Sequence, residues 1–340
     1  MQRTWFSLLA IGLSAGASLA GCSGSTGAGQ GSSIAVAGAA SNAGSGGADA
    51  IIDLGHAGSL AQGGSVMLNV PDELAGSPST SDPGEEPYPD TLPAGFTAAD
   101  KFGGYRVGDA ITAGSGAPTD VLDADADGCG TTILAVIRDF KRDDKNFEGP
   151  KIGDDRNLVL PTLGADRKPV FAASGPTDTV REPAQFADWY RTVDGLNKAF
   201  KLELWFGPNA GVSSFQSTEF FPLDGMGWEE GVTGYHNYYF TTEIHTRFKY
   251  EGGESFKFTG DDDVWVFINN QLAIDLGGVH GAQNASIDID ARASELGLEK
   301  GKVYPFDMFQ NERHTGESNF RADTTLNFVD CGTIVPEIPK

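Results

Sequence analysis

Three consecutive acids, Asp261, Asp262 and Asp263, are the residues of this chain best suited to chemistry. They lie between two apolar runs. Ser255–Thr259 alternates polar and apolar, and Val264–Ile268 is dense in β-branched and aromatic residues. Adjacent anions repel one another, and packing them together gains folding nothing. A hard cation that prefers several oxygen ligands, such as calcium, would remove that cost. A solvated acidic turn is the plain alternative. Asn269-Asn270-Gln271 then makes a tight polar turn, after which Leu272–Leu276 is apolar again.

The elements that must hold this turn are strands. From about Ala98 to Val335 aromatics become frequent and turn residues recur. Strand candidates are Ile133–Phe140, Leu158–Leu160, Ala199–Trp205, Asn237–Phe248 and Ser255–Thr259, followed by Val264–Ile268, Leu272–Leu276, Ala285–Ile289, Val303–Gln310 and Arg321–Val329. Helical patterns are few, Pro183–Thr192 and Ala291–Leu298, each of about two turns. Many short strands with Gly, Asn and Asp turns indicate an all-β domain, an antiparallel β-sandwich or barrel. Some 200 residues suffice for one well-buried core.

Gly260-Asp-Asp-Asp-Val-Trp-Val-Phe-Ile-Asn-Asn-Gln-Leu-Ala-Ile-Asp275 resembles the core of the PA-fourteen domain, named after anthrax protective antigen. Four further segments resemble the fibro-slime branch of that superfamily. They are Ile137-Arg-Asp-Phe140, Asn146-Phe-Glu148, Asp275-Leu-Gly-Gly-Val-His-Gly281 and Glu312-Arg-His-Thr-Gly-Glu-Ser-Asn-Phe-Arg321. The resemblance covers Thr131 to Val329 and implies a β-sandwich that often binds carbohydrate. In the superfamily's flocculin-type adhesins an Asp-Asp pair joined by a cis peptide binds calcium, a second loop supplies an Asn, and the metal holds sugar hydroxyls. Carried over, the metal ligands are Asp261, Asp262 and Asn311. Asp263 stands where a small residue is common, and Glu312-Arg313-His314 departs from the adhesin loop.

Aromatic faces suit the C–H side of a sugar. Trp205, Trp228, Tyr235, Tyr238 and Tyr239 are available; Trp228, in Gly225-Met-Gly-Trp-Glu-Glu-Gly231, reads as standing on an exposed loop. Trp228 and His314 are the expected ligand contacts. His280 and His314 read as hydrogen-bonded structural histidines, since no zinc spacing accompanies them. Asp123-Ala-Asp-Ala-Asp-Gly128 opens like a calcium loop, but its twelfth position is Leu134, so an acidic linker turn is the better reading.

The chain begins with Arg3, an apolar run Trp5–Ala20 and then Leu19-Ala20-Gly21-Cys22. This is an export signal, and its end resembles the lipobox of bacterial lipoproteins. The resemblance implies cleavage after residue 21 and lipid on Cys22, which would anchor the protein to a membrane, by analogy the outer membrane or cell surface. An ordinary secretory signal is the alternative. Residues 22–97 are a Gly/Ala/Ser/Pro tether, disordered because they bury too little to order them. The folded domain is 98–335, with its core at 131–329. If Cys22 carries lipid, Cys129 and Cys331 are left as a pair. Outside the cytoplasm such a pair forms a disulfide, here closing about 200 residues and worth about 4–5 kcal/mol; two free thiols are the alternative.

With 47 acids against 24 bases the surface repels phosphate, which excludes nucleic acid as a partner. Glu219, Asp224, Glu229 and Glu230 near aromatics allow a glycosidase reading, but no large second domain and no nucleophile elbow, phosphate loop or dinucleotide fingerprint is present, so no enzyme is expected. A lipid-anchored, calcium-assisted binder of glycan or matrix polysaccharide is the expected function, with a structural matrix module that binds no sugar as its rival.

Overall fold

The computed structural model describes residues 92–112, 131–228 and 235–335, all within one compact unit, Glu73–Lys340. The signal, Cys22, most of the tether, the Asp123–Gly128 turn, Cys129, Glu229 and Glu230 lie outside the described residues.

The strands run in chain order β1 (Thr97–Ala98), β2 (Gly104–Ile111), β3 (Thr132–Phe140), β4 (Gly153–Asp154), β5 (Asn197–Trp205), β6 (Gly207–Asn209), β7 (Val212–Ser217) and β8 (Phe240–Lys249). They continue as β9 (Ser255–Gly260), β10 (Val264–Ile268), β11 (Gln271–Leu276), β12 (Gly278–Val279), β13 (Gln283–Asp288), β14 (Val303–Glu312), β15 (Phe320–Thr324) and β16 (Asn327–Asp330). Two helices of one turn, α1 (Pro183–Phe186) and α2 (Ile289–Arg292), complete the set. Both are shorter than the sequence pattern suggests. The run Arg321–Val329 divides into β15 and β16, and Leu158–Leu160 contributes a single bridge, Val159 to Phe171.

These strands form an antiparallel β-sandwich. One sheet has the order β1-β2-β5-β3-β8-β14-β10-β11, with β16 also on β8; the other has the order β13-β9-β15-β7-β6, and β12 pairs with β4 in a separate two-stranded ribbon. The core lies between them. Ile133, Ile137, Leu202, Ile244, Val266 and Met308 come from the large sheet, and Phe215, Phe258, Ile287 and Phe320 from the small one. A second apolar cluster covers the outer face of the large sheet, where Phe147, Val180, Phe186 and Trp189 from the 141–196 segment pack on Trp265, Phe267 and Phe309.

The two clusters explain the density of Val264–Ile268. Side chains alternate across a strand. Val264, Val266 and Ile268 enter the inner core, Trp265 and Phe267 the outer one, and all five are fully buried. Each such side chain contributes about 1.5–3 kcal/mol by leaving water. Asn269 and Asn270 both have positive φ (51° and 64°), as the turn joining β10 to β11 requires, and asparagine tolerates that conformation.

Candidate functional site

The three aspartates occupy the crossover between the two sheets. β9 ends at Gly260 in the small sheet and β10 begins at Val264 in the large one. The chain must turn sharply here beside β15, and Gly260 allows it: a Cβ would come 2.2 Å from the Asn319 carbonyl oxygen. The Asp261–Asp262 peptide bond is cis, as the adhesin resemblance implies.

Each acid has its own set of donors. Asp261 Oδ1 accepts from the Asn319 backbone N–H at 2.5 Å and Oδ2 from Asn319 Nδ2 at 3.1 Å. Asp262 Oδ1 accepts from the His280 N–H at 2.7 Å and Oδ2 from the Arg313 N–H at 3.0 Å. Asp263 is fully buried and points into the outer layer. Its Oδ1 accepts from the Gly278 N–H at 2.7 Å, and its Oδ2 from Asn311 Nδ2 at 3.0 Å and Arg313 Nε at 2.6 Å. Arg313, also fully buried, donates further to the carbonyls of Asn146 (3.1 Å) and Thr179 (2.6 Å) and lies 4.9 Å from the Trp189 ring. Asp263 is thus half of a buried ion pair that locks the 141–196 segment to the sheet. Among the described residues Asp261 and Asp262 have no such partner.

Charge is out of balance as a result. Burial pushes the Asp261 carboxyl above its usual range, opposed by the Asn319 donors. Burial raises Asp262 to about 8; Arg313 opposes this and Asp263 adds to it. Glu312, behind the pair, is buried and raised well above the usual carboxylate range, first by burial and then by repulsion from Asp262 and Asp261. Its Oε2 has no hydrogen-bond partner among the described residues. Arg313, already tied to Asp263, opposes the upward shifts of Asp262 and Glu312 only in part. This donor set fits a hard divalent cation: the pair offers oxygen only, and its hydrogen bonds all come from N–H groups on the protein side. Among the described residues no three His, Cys, Asp or Glu side chains form a ready metal cluster. A cation on the pair would therefore complete its shell with backbone carbonyls, water or ligand oxygens.

The pair opens into a cavity of about 160 Å³, lined also by Ile152, Val279, His280, Gly281 and the loop His314–Glu317. Of the expected residues, Asp261, Asp262 and His314 meet here. Asn311 does not line this cavity; its side chain turns to the outer layer, where Oδ1 accepts from the Tyr190 hydroxyl and Nδ2 donates to Asp263. Trp228 does not line it either. It is half-buried rather than exposed, with Lys141 Nζ 4.5 Å and Lys198 Nζ 4.2 Å from its ring, beside a separate cavity of about 560 Å³. Glu148 lies between these cavities. Burial alone would raise its carboxyl, but hydrogen bonds from Thr315 and Tyr239 hold it below its ordinary value.

His280 has both ring nitrogens 3.0 Å from backbone carbonyls, of Gly281 and Leu276. His314 Nδ1 lies 2.9 Å from the Thr315 carbonyl. Both rings are thus within hydrogen-bonding distance of backbone carbonyls while lining the cavity. Cys331 is buried. Sequence reasoning missed Asn319 and Ile152; that Arg313 pairs with a carboxylate is legible from its type, but not that the carboxylate is Asp263. Arg313 and Asn319 stood within the quoted Glu312–Arg321 segment, but only the fold brings them to Asp261 and Asp263. Ile152 carried no signal at all.

Residues 193–340 match the family model described as the PA14 domain. Protein psiR of Dictyostelium discoideum is 37% identical over 176 residues, covering 47% of this chain and 17% of psiR. Protein psiC of the same organism is 39% identical over 158 residues, covering 44% of this chain and 30% of psiC. The chain thus spans under a third of the length of these relatives. The crystal structure of the PA14 domain of MpAFP antifreeze protein aligns over 65% of this chain and 98% of its own, at 11% identity and a TM-score of 0.27.

Proposed function

We propose that this PA14-type domain binds glycan or matrix polysaccharide through a calcium ion held on Asp261 and Asp262. One observation carries the reading: two neighbouring carboxylates that have no charge partner of their own among the described residues face a cavity, while the third, Asp263, is neutralised by Arg313. Folding gains nothing from leaving the first two unpaired, so a ligand is the physical reason for the arrangement. When bound, calcium supplies open coordination positions for hydroxyl oxygens. The chain supplies the rest. Asn319, His280 and Arg313 fix the carboxylates through N–H bonds, and Ile152, 62% exposed at the rim, offers apolar surface to the C–H side of a sugar. The fibro-slime kinship, export, the lipid on Cys22 and a Cys129–Cys331 disulfide belong to the same proposal. They place the binding domain on a tether at the cell surface.

Calcium at about a hundredfold over its dissociation constant should stabilise the fold by about 2.7 kcal/mol, a rise of about 5–10 °C in Tm. The rise should vanish in Asp262→Ala and in the milder Asp261→Asn. A glycan array should show binding that chelator removes. Melting curves identical with calcium and with chelator, together with an empty array, would favour a structural matrix module. Product release from a polysaccharide would favour an enzyme.

A further inference from the structure

The loop that closes the Asp261–Asp262 cavity has a second cavity beyond it. This one has a volume of about 450 Å³. Tyr105, Arg106, Glu219, Asp224 and His236 bring polar groups to it, and Phe221 and Met226 bring apolar surface. His236 lies flat on Phe221, with ring centroids 4.0 Å apart and planes 6° from parallel. Asp224 holds it there: Oδ2 is 2.6 Å from His236 Nδ1, while Oδ1 accepts from the Asn237 N–H at 2.8 Å. The stacked ring is 49% exposed and bounded by carboxylates. A flat face next to fixed hydrogen-bond acceptors is what one sugar unit requires.

Tyr238 connects the two cavities. The backbone of Gly316, which lines the first cavity, lies close enough to its hydroxyl to oppose the upward shift that burial gives it. Its ring meets Phe221 edge-on at 4.9 Å and His236 at 6.2 Å, and Phe221 and His236 both line the second cavity. Glu219 of the second cavity bridges to Ser318, one residue before the Asn319 that clamps Asp261. The segment Gly316–Asn319 therefore runs from the first cavity, which Gly316 and Glu317 line, to Ser318 beside Glu219 of the second, and half-buried Tyr238 packs on the second cavity's Phe221.

We infer that the ligand is a polysaccharide chain, bound along its length, rather than a single terminal sugar. One unit sits on the Asp261–Asp262 pair, and a later unit sits against His236 and Phe221, with Tyr238 beneath the linkage between them. This rests on the reading of the Asp pair as a glycan site and specifies its substrate class. The second cavity needs no cation. Its contribution should scale with chain length, not with calcium.

The test uses titration calorimetry in calcium with cello-, chito- and manno-oligosaccharides, each as monomer, trimer and hexamer. In the series that binds, the hexamer should exceed the monomer by about tenfold or more, the value of one aromatic contact with its hydrogen bonds. His236→Ala should return the hexamer to the monomer's affinity. Glu219→Gln, an exposed and isosteric change, should reduce the gain and guards against a folding defect in the first variant. Calcium stabilisation should persist in both. Equal affinity along the series, or a length gain that survives both variants, overturns the inference and leaves the Asp-pair reading standing. Failure of every saccharide at every length overturns both.

Discussion

Acid should expel calcium from the Asp261–Asp262 pair well before it unfolds the protein. Burial, with Asp263 adding to it, raises Asp262 to about 8. A carboxyl that keeps its proton near neutrality must lose it to take a cation, so proton and calcium compete for the same oxygens. Apparent calcium affinity should then fall about tenfold for each pH unit below about 8, to about a hundredth of its alkaline plateau near pH 6. About one proton should leave with each calcium bound at about pH 6, and almost none at about pH 10. Without calcium the sign reverses. The folded value lies above the unfolded one of about 3.9, so the proton favours the folded state. That contribution is fully present below about pH 4 and is lost as pH rises through about 8. Chelated protein should therefore lose stability across this window, while the stabilisation that calcium adds should grow. Calorimetric titration in two buffers of different protonation enthalpy counts the protons, and melting with chelator follows the second effect; Asp262→Ala isolates the contribution of this group. A calcium affinity flat between about pH 6 and 9, or binding without proton release at the acid end, would refute the reasoning.

Other expectations follow from named contacts. Arg313→Met leaves Asp263 buried without its counter-charge, and should cost about 3–5 kcal/mol in urea unfolding. Restoring neutrality with Asp263→Asn in the same chain should recover part of the loss. Asn319→Ala removes the side-chain donor to Asp261 Oδ2 but not the backbone one, so calcium affinity should drop about tenfold by titration while the fold survives. Gly278→Ala has φ +130° and would place its Cβ 2.4 Å from the Gly153 carbonyl oxygen, forcing β12 off β4; about 1–3 kcal/mol should be lost on thermal melting.

Strands that alternate or run apolar were legible in the sequence. Val264–Ile268 has the boundaries read from its residues, and the strands read at Ile133–Phe140 and Val303–Gln310 lie within β3 and β14. Strands whose inward faces are polar were not. β7, Val-Ser-Ser-Phe-Gln-Ser, buries Ser214 and Ser217 as well as Phe215, and no hydrophobic period marks it. β2 is broken by a bulge between Val107 and Ala110, which spoils its alternation with β5. The helical patterns failed for another reason. Pro183–Thr192 follows the outer core closely, with Phe186, Trp189 and Tyr190 buried in it, so packing rather than helix propensity sets its backbone beyond Phe186.

The same distinction governs the site. Three adjacent acids are visible in any reading of the chain, but their separate fates are not. Those depend on Arg313 and Asn319, which lie 50 and 58 positions along the chain from their partners Asp263 and Asp261. Local sequence could show that the charge needs neutralising; only topology shows which acid receives an internal cation. Asp263 turns to the outer layer, where Arg313 already waits between two carbonyls. Among the described residues, Asp261 and Asp262 are held by neutral donors alone, which orient a carboxylate without cancelling its charge. The expected Asn311 belongs to the neutralised side of this division, since its amide donates to Asp263 and its carbonyl accepts from Tyr190. A cation at the rim is therefore left to two side chains and to oxygens from outside the side-chain set. That is the condition under which a ligand's own hydroxyls can take part in binding it.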